Sequence, residues 1–110
     1  MFRKHHLFSP HESSSKSGGK PCQPFQLGQI VATRGVVAHL TRHLIGPGSY
    51  VSRHACGDWG LVPEEDAKAN DLAVISGARV LSAYDIAGVR VWIITEADRS
   101  VTTLLLPEEY

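Results

Sequence analysis

Four residue types that can move protons or hold a phosphate fall in the C-terminal two-thirds of the chain: His54, Asp58, Glu96 and Arg99, with Thr102 and Thr103 close behind. A Glu at the end of one strand and an Arg in the next turn are neighbours by construction. If a helical half packs over that end of a sheet, His54 joins them. A His–Glu–Arg set supplies a general base, a general acid and a positive charge for a phosphate group without a metal. The alternative is structural: Glu96 pairs with Arg79, and Arg99 is a solvated turn residue.

That set is the chemistry of small metal-independent ribonucleases. Helices followed by an antiparallel meander is also the gross layout of barnase-like and RelE-like nucleases, a likeness at the level of fold only. In the barnase pattern Glu and Arg precede the His, whereas here His54 comes first.

Metal chemistry has weaker support. His39 and His43 stand four apart and can share one face of a helix, but no third ligand is specified, so an exposed helix flank is the expectation. His54, Cys56 and Asp58 offer three ligand types within five residues. Metal sites need ligands in suitable geometry with outer partners, and Cys56 is read instead as a small apolar filler. There is no CxxC, no HExxH and no Gly-rich phosphate loop, so no cofactor is implied. Two cysteines are too few for a disulfide scaffold. Trp59 lies between Gly57 and Gly60, either as a lid on the core or as an exposed anchor for a partner.

These side chains must be held by a small number of elements. Residues 25–32 suit a short strand. Thr33 suits the N-cap of a helix over 34–45, with Val36, Val37, Leu40 and Leu44 on one arc and Gly46-Pro47-Gly48 as the stop. Residues 49–56 fit a helix or a strand, and 57–60 a turn. Pro63 followed by Glu64, Glu65 and Asp66 opens a helix to about Ser76, closed by Gly77, with Ala69, Leu72, Ala73 and Ile75 as its core face.

The last third reads as three strands, 78–86, 89–97 and 101–106, rich in β-branched and aromatic residues. The short connections Ala87-Gly88 and Asp98-Arg99 make it an antiparallel meander. A two-residue first turn sets Ile86 opposite Val89, Asp85 opposite Arg90 and Arg79 opposite Glu96. Both charged pairs join opposite signs, and a one-residue slip would lose both. One face then carries Val80, Tyr84, Ile86, Val89, Val91, Ile93, Leu104 and Leu106. The other carries Leu81, Trp92, Ile94 and Leu105, rimmed by Arg79, Arg90, Glu96 and Thr103, and suits a partner or partial cover.

The chain has 110 residues, with 11 Lys plus Arg and 11 Asp plus Glu. Net neutrality excludes a globally basic nucleic-acid binder. Residues 1–24 read as a disordered basic tail without the apolar region of a signal peptide, and residues 25–110 as one α+β domain. Within it, residues 25–57 hold Arg34, Arg42, Arg53 and three His but no acid, whereas 58–110 hold ten acids against four basic residues. No apolar run approaches the roughly 20 residues of a membrane span.

At HACGDWG (54–60) and WIITEADRSVTTLLLPEEY (92–110) the sequence resembles a family of small "plasmid-related" proteins encoded on bacterial plasmids and integrative conjugative elements. The likeness covers about residues 25–110. Members often read Gly-Asp-Trp-Gly-Asp-Leu, whereas here Gly60 is followed by Leu61-Val62-Pro63. The resemblance implies a bacterial cytoplasmic setting and a mobile-element context, with no established activity.

The expected architecture is α+β, two or three helices on one face of a three- to four-stranded antiparallel meander. The expected function is a non-enzymatic accessory or interaction protein, through a protein partner or self-association and without a membrane. Its contact surface would join Asp58 and Trp59 to the Glu96–Arg99 hairpin, with Arg79 and Thr103 on the rim. The alternatives are a metal-independent nuclease using His54, Glu96 and Arg99, and a nucleic-acid binder using Arg34, Arg42 and Arg53.

Overall fold

The computed structural model describes Cys22 and residues 24–110. The expected basic tail therefore lies outside the described residues, apart from Cys22 and Pro24. In chain order the elements are β1 (Gln29–Ala32), α1 (Arg34–Arg42), α2 (Gly48–Ala55), α3 (Glu64–Ser76), β2 (Val80–Ile86), β3 (Val89–Thr95), β4 (Val101–Leu105) and a 3-10 turn, Pro107–Glu109. This is an α+β fold. The sheet order is β1-β4-β3-β2. The meander β2-β3-β4 is antiparallel, and β1 joins β4 in parallel.

The meander has the register that the turn lengths require. Asp85 faces Arg90 and Ile86 faces Val89 across Ala87-Gly88, and Ile93 faces Leu104. Ala87 and Gly88 both have positive φ, 51° and 81°, as a tight hairpin turn demands. The charged pairs do not form, however. Asp85 accepts from the Gly88 amide at 3.0 Å, and Arg79 donates to the Tyr110 hydroxyl at 2.8 Å. What holds the register is the greasy face: Val80, Tyr84, Ile86, Val91, Ile93 and Leu104 are all at most 2% exposed. The second turn is wider than two residues. Pairing stops where the Glu96 amide meets the Val101 carbonyl, and Asp98 caps Ser100 through its amide and hydroxyl. The opposite face is covered in part by the C-terminus, where Tyr110 stacks edge-on against Trp92.

The helices occupy the greasy face, and two of them differ from expectation. Thr33 caps α1 by accepting from the Val36 amide at 3.4 Å. The Glu109 carboxylate adds to the cap, accepting from the Thr33 hydroxyl and the Gly35 amide. At its other end α1 stops at Arg42, short of the expected 45. The Leu44 amide bonds Thr41 O at 3.2 Å and the Ile45 amide bonds Leu40 O at 2.9 Å, the paired bonds of a Schellman closure. That closure puts Leu44 at φ 55°, a position glycine normally fills.

In α3 the inward face is Asn70, Ala73 and the half-buried Ala67 and Val74, not Ala69, Leu72 and Ile75. Asn70 donates to Leu81 O at 2.8 Å and accepts from Leu81 N at 3.2 Å. It thereby serves as a neighbour for the free edge of β2, a gain that outweighs an apolar contact. The rest of that edge is closed by the 57–60 turn. The Ala83 amide donates to Trp59 O and the Leu61 amide to Ala83 O. Gly60, at φ 74°, lies so close to the Ala83 carbonyl that no Cβ fits.

Candidate functional site

His54 comes from the last turn of α2 and is fully buried. Its two nitrogens belong to a chain of hydrogen bonds whose directions follow from one end. The Leu27 carbonyl can only accept, so the Thr102 hydroxyl donates to it at 2.8 Å. Thr102 must then accept from the Thr95 hydroxyl at 2.7 Å. Thr95, having given its proton, accepts from His54 Nε2–H at 2.9 Å. Nδ1 is left as an acceptor and takes the Ser82 hydroxyl proton at 2.5 Å. With the imidazole neutral every polar atom of the chain has its partner. Burial, helped by the positive charge of Arg99, pushes its pKa down to about 3.

The three residues expected to do nuclease chemistry gather loosely in one corner, with Phe25 packed over it. The Phe25 ring lies 5.3 Å from the His54 ring and 6.0 Å from that of Trp59, and the Arg99 guanidinium sits 5.4 Å above it. Arg99 spends its donors on backbone: Nη1 on Ala78 O (2.7 Å) and Glu96 O (3.1 Å), Nη2 on Ala73 O (3.0 Å). It ties the β3–β4 turn to the C-terminal carbonyls of α3, where a cation is favoured. It is not the solvated turn residue of the alternative reading. The Glu96 side chain makes no hydrogen bond among the described residues and does not meet Arg79. The corner is thus a structural knot: its base is sealed and its cation is occupied.

The expected binding residues are also committed internally. Asp58 pairs with Arg53 at 2.7 Å. The hydrogen bond from Arg53 holds its carboxyl below the usual carboxylate range. Arg53 lies over the Tyr84 ring at 4.7 Å, and the Tyr84 hydroxyl, pushed up to about 12 by burial, donates to Asp58 O. Trp59 is 5% exposed and donates Nε1–H to Asp71 at 2.9 Å, so it is a lid and not an anchor. Arg79 is drawn to Tyr110, and Thr103 is buried on the sheet face away from the helices.

The possible ligand sets separate as well. His39 is buried and donates Nε2–H to Ile86 O at 2.8 Å, so it does not lie on the exposed flank expected of it. Cys56 is exposed and joined to Cys22 in a disulfide, a correction to the reading of Cys56 as an apolar filler. Among the described residues no three His, Cys, Asp or Glu side chains converge as metal ligands would.

Among the described residues, an open concavity lies between α1 and the 44–47 loop that leads into α2. An apolar groove of about 400 Å³ runs there, lined by Ala32, Val37, Leu40, Leu44, Ile45 and Pro47, with Thr41 its one polar side chain. Leu44 is 91% exposed at its mouth. Arg34 stands on the same helical stripe as Val37, Thr41 and Leu44, and exposed Arg42 and His43 follow at the helix end. The stretch 25–57 contains no acid of its own, and Glu109 folds onto the start of α1 beside Arg34. Sequence reasoning passed over this site because Leu44 fitted the buried arc of a longer α1. The signal available was its place just ahead of Gly46-Pro47-Gly48.

Among the described residues no helix is long and apolar enough to cross a membrane. No protein-family model matches the chain, and no significant match was found among curated proteins or solved structures.

Proposed function

We propose that the chain is a non-enzymatic interaction protein that docks an apolar protein segment with acidic flanks in the α1–α2 groove. The observation that carries this reading is Leu44. A large apolar residue is held in left-handed backbone, at a cost of about 1–2 kcal/mol, with its side chain in water. The left-handed turn closes α1, but glycine would close it without that cost, and the exposed leucine presents an apolar finger beside an apolar groove. The Arg and His residues at the groove ends favour acidic flanks and disfavour basic ones.

The internal commitment of His54 and Arg99 speaks against the nuclease reading, since a general base must reach the proton it takes. Nucleic-acid binding loses Arg53 to Asp58 and keeps only Arg34 and Arg42 in this region, too few for a phosphate-tracking surface. The resemblance at 54–60 and 92–110 supports an accessory role on a bacterial mobile element, in the cytoplasm.

The test is to pan a random peptide library against the immobilised full chain. Peptides with an acidic–apolar pattern should emerge, and their binding should fall at least tenfold on Leu44→Asp. Recovery of none, or of peptides indifferent to Leu44→Asp, overturns the reading. So does cleavage of labelled RNA by the purified chain.

A further inference from the structure

Leu72 and Ile75 of α3 are 67% and 84% exposed and stand three apart on the helix, so they form one outward ridge. Glu64, Glu65 and Lys68 share that outward side of the helix, and Asp71, which accepts from Trp59 Nε1–H, lies on its flank. The ridge belongs to the acid-rich part of the chain, 58–110, and the groove to the part without acids, 25–57. The molecule therefore carries an apolar groove with Arg42 and His43 at one end and Arg34 beside Glu109 at the other, and an apolar ridge with Glu64, Glu65 and Asp71 around Lys68.

The two cannot meet within one molecule. α3 packs over β2, and the groove opens beside Ala32 of β1. These strands are the opposite edges of the sheet in the order β1-β4-β3-β2, three strand spacings or roughly 14 Å apart within it. A two-fold contact of groove on groove would bring the Arg34, Arg42 and His43 of two copies together. A ridge-to-groove contact instead brings opposite charges together.

We infer that the groove receives the α3 ridge of a second copy of this chain, with Leu72 and Ile75 entering beside Leu44. This rests on the docking reading above and names its occupant. The contact is head-to-tail, so each copy offers one free groove and one free ridge, and assembly continues until a ring closes or a filament grows.

The experiment is sedimentation velocity on the full, disulfide-bonded chain over a wide concentration range. The mean mass should rise with concentration and fall when salt is raised to about 0.5 M, where exposed charges are screened. Leu44→Asp should abolish association by losing the groove, and the pair Leu72→Lys with Ile75→Lys should abolish it by losing the ridge. All three positions are exposed, and circular dichroism should show both proteins folded. Mixed in equal amounts, the two should form a one-to-one dimer and stop, since one retains only a ridge and the other only a groove. Continued self-association of either variant, or a mixture that stays monomeric, overturns the inference. A monomeric wild type whose groove still binds library peptides removes self-assembly and leaves the docking reading standing. A monomeric wild type that binds no peptide removes both.

Discussion

The Ser82 hydroxyl lies 2.5 Å from Nδ1 of His54, out of reach of water, and donates to it while burial keeps the histidine neutral. A protonated ring would carry hydrogens on both nitrogens, turning Ser82 from donor to acceptor and placing a charge where burial opposes it. The chain from Ser82 through Thr95 and Thr102 to Leu27 ties three strands, α2 and the segment before β1 to one polar seam. Its function is to position, and it explains why the residue best suited to catalysis by type is unsuited by place.

A pH dependence follows. His54 has a folded pKa of about 3 against the ordinary value near 6.5. Between those values the unfolded chain binds a proton that the folded chain refuses. The stabilisation is complete above about pH 6.5 and is lost as pH falls toward 3, by up to about 1.4 kcal/mol per unit. Urea unfolding should show about 2 kcal/mol less stability at pH 5 than at pH 7. His54→Gln should flatten that difference while lowering stability at pH 7. An unchanged slope in the variant contradicts the neutral chain.

Arg99 should behave as a structural residue. Its removal frees the carbonyls of Ala73, Ala78 and Glu96 and uncovers Phe25. Charged hydrogen bonds of this kind contribute roughly 1.5–3 kcal/mol each before relaxation. Arg99→Ala should lower stability by about 2–3 kcal/mol, with the turn at 97–100 gaining amide exchange. A variant as stable as wild type would mean that the guanidinium is free for another role.

The bond between Cys22 and Cys56 spans 34 residues and anchors the segment that delivers Phe25 to the His54–Trp59 cluster. A loop of that length corresponds to about 3–4 kcal/mol in the chain-entropy description. Reduction, or Cys56→Ser, should lower the urea midpoint accordingly and alter Trp59 fluorescence as Phe25 loosens. The cytoplasm disfavours such bonds, so the redox state of these two thiols in cells bears directly on the proposed location. Alkylation before lysis followed by mass spectrometry reads it.

The meander was legible because its signals are local. Ala87-Gly88 sets the turn, the alternation sets the face, and counting sets Ile93 against Leu104. Thr33 and Gly77 marked helix ends by the same local chemistry. What could not be read depends on distant partners. Nothing in four residues of β1 says that it lies parallel to β4. The inward face of α3 follows Asn70, whose reward is the Leu81 backbone eleven residues away. A periodicity of apolar residues alone therefore assigned Leu72 and Ile75 to the wrong side. The His54, Glu96 and Arg99 neighbourhood was foreseen, but its closure was not, because Phe25 reaches it from the far end of the domain.

The most direct test of the docking claim is Leu44→Gly. Glycine adopts φ 55° freely and suits the closing position of α1. The variant should be as stable as wild type or more stable, by up to about 1–2 kcal/mol. Its binding of peptides selected on the wild-type groove should nevertheless fall at least tenfold. A variant that gains stability and keeps its binding, or that loses stability because Leu44 serves the fold, would contradict the account.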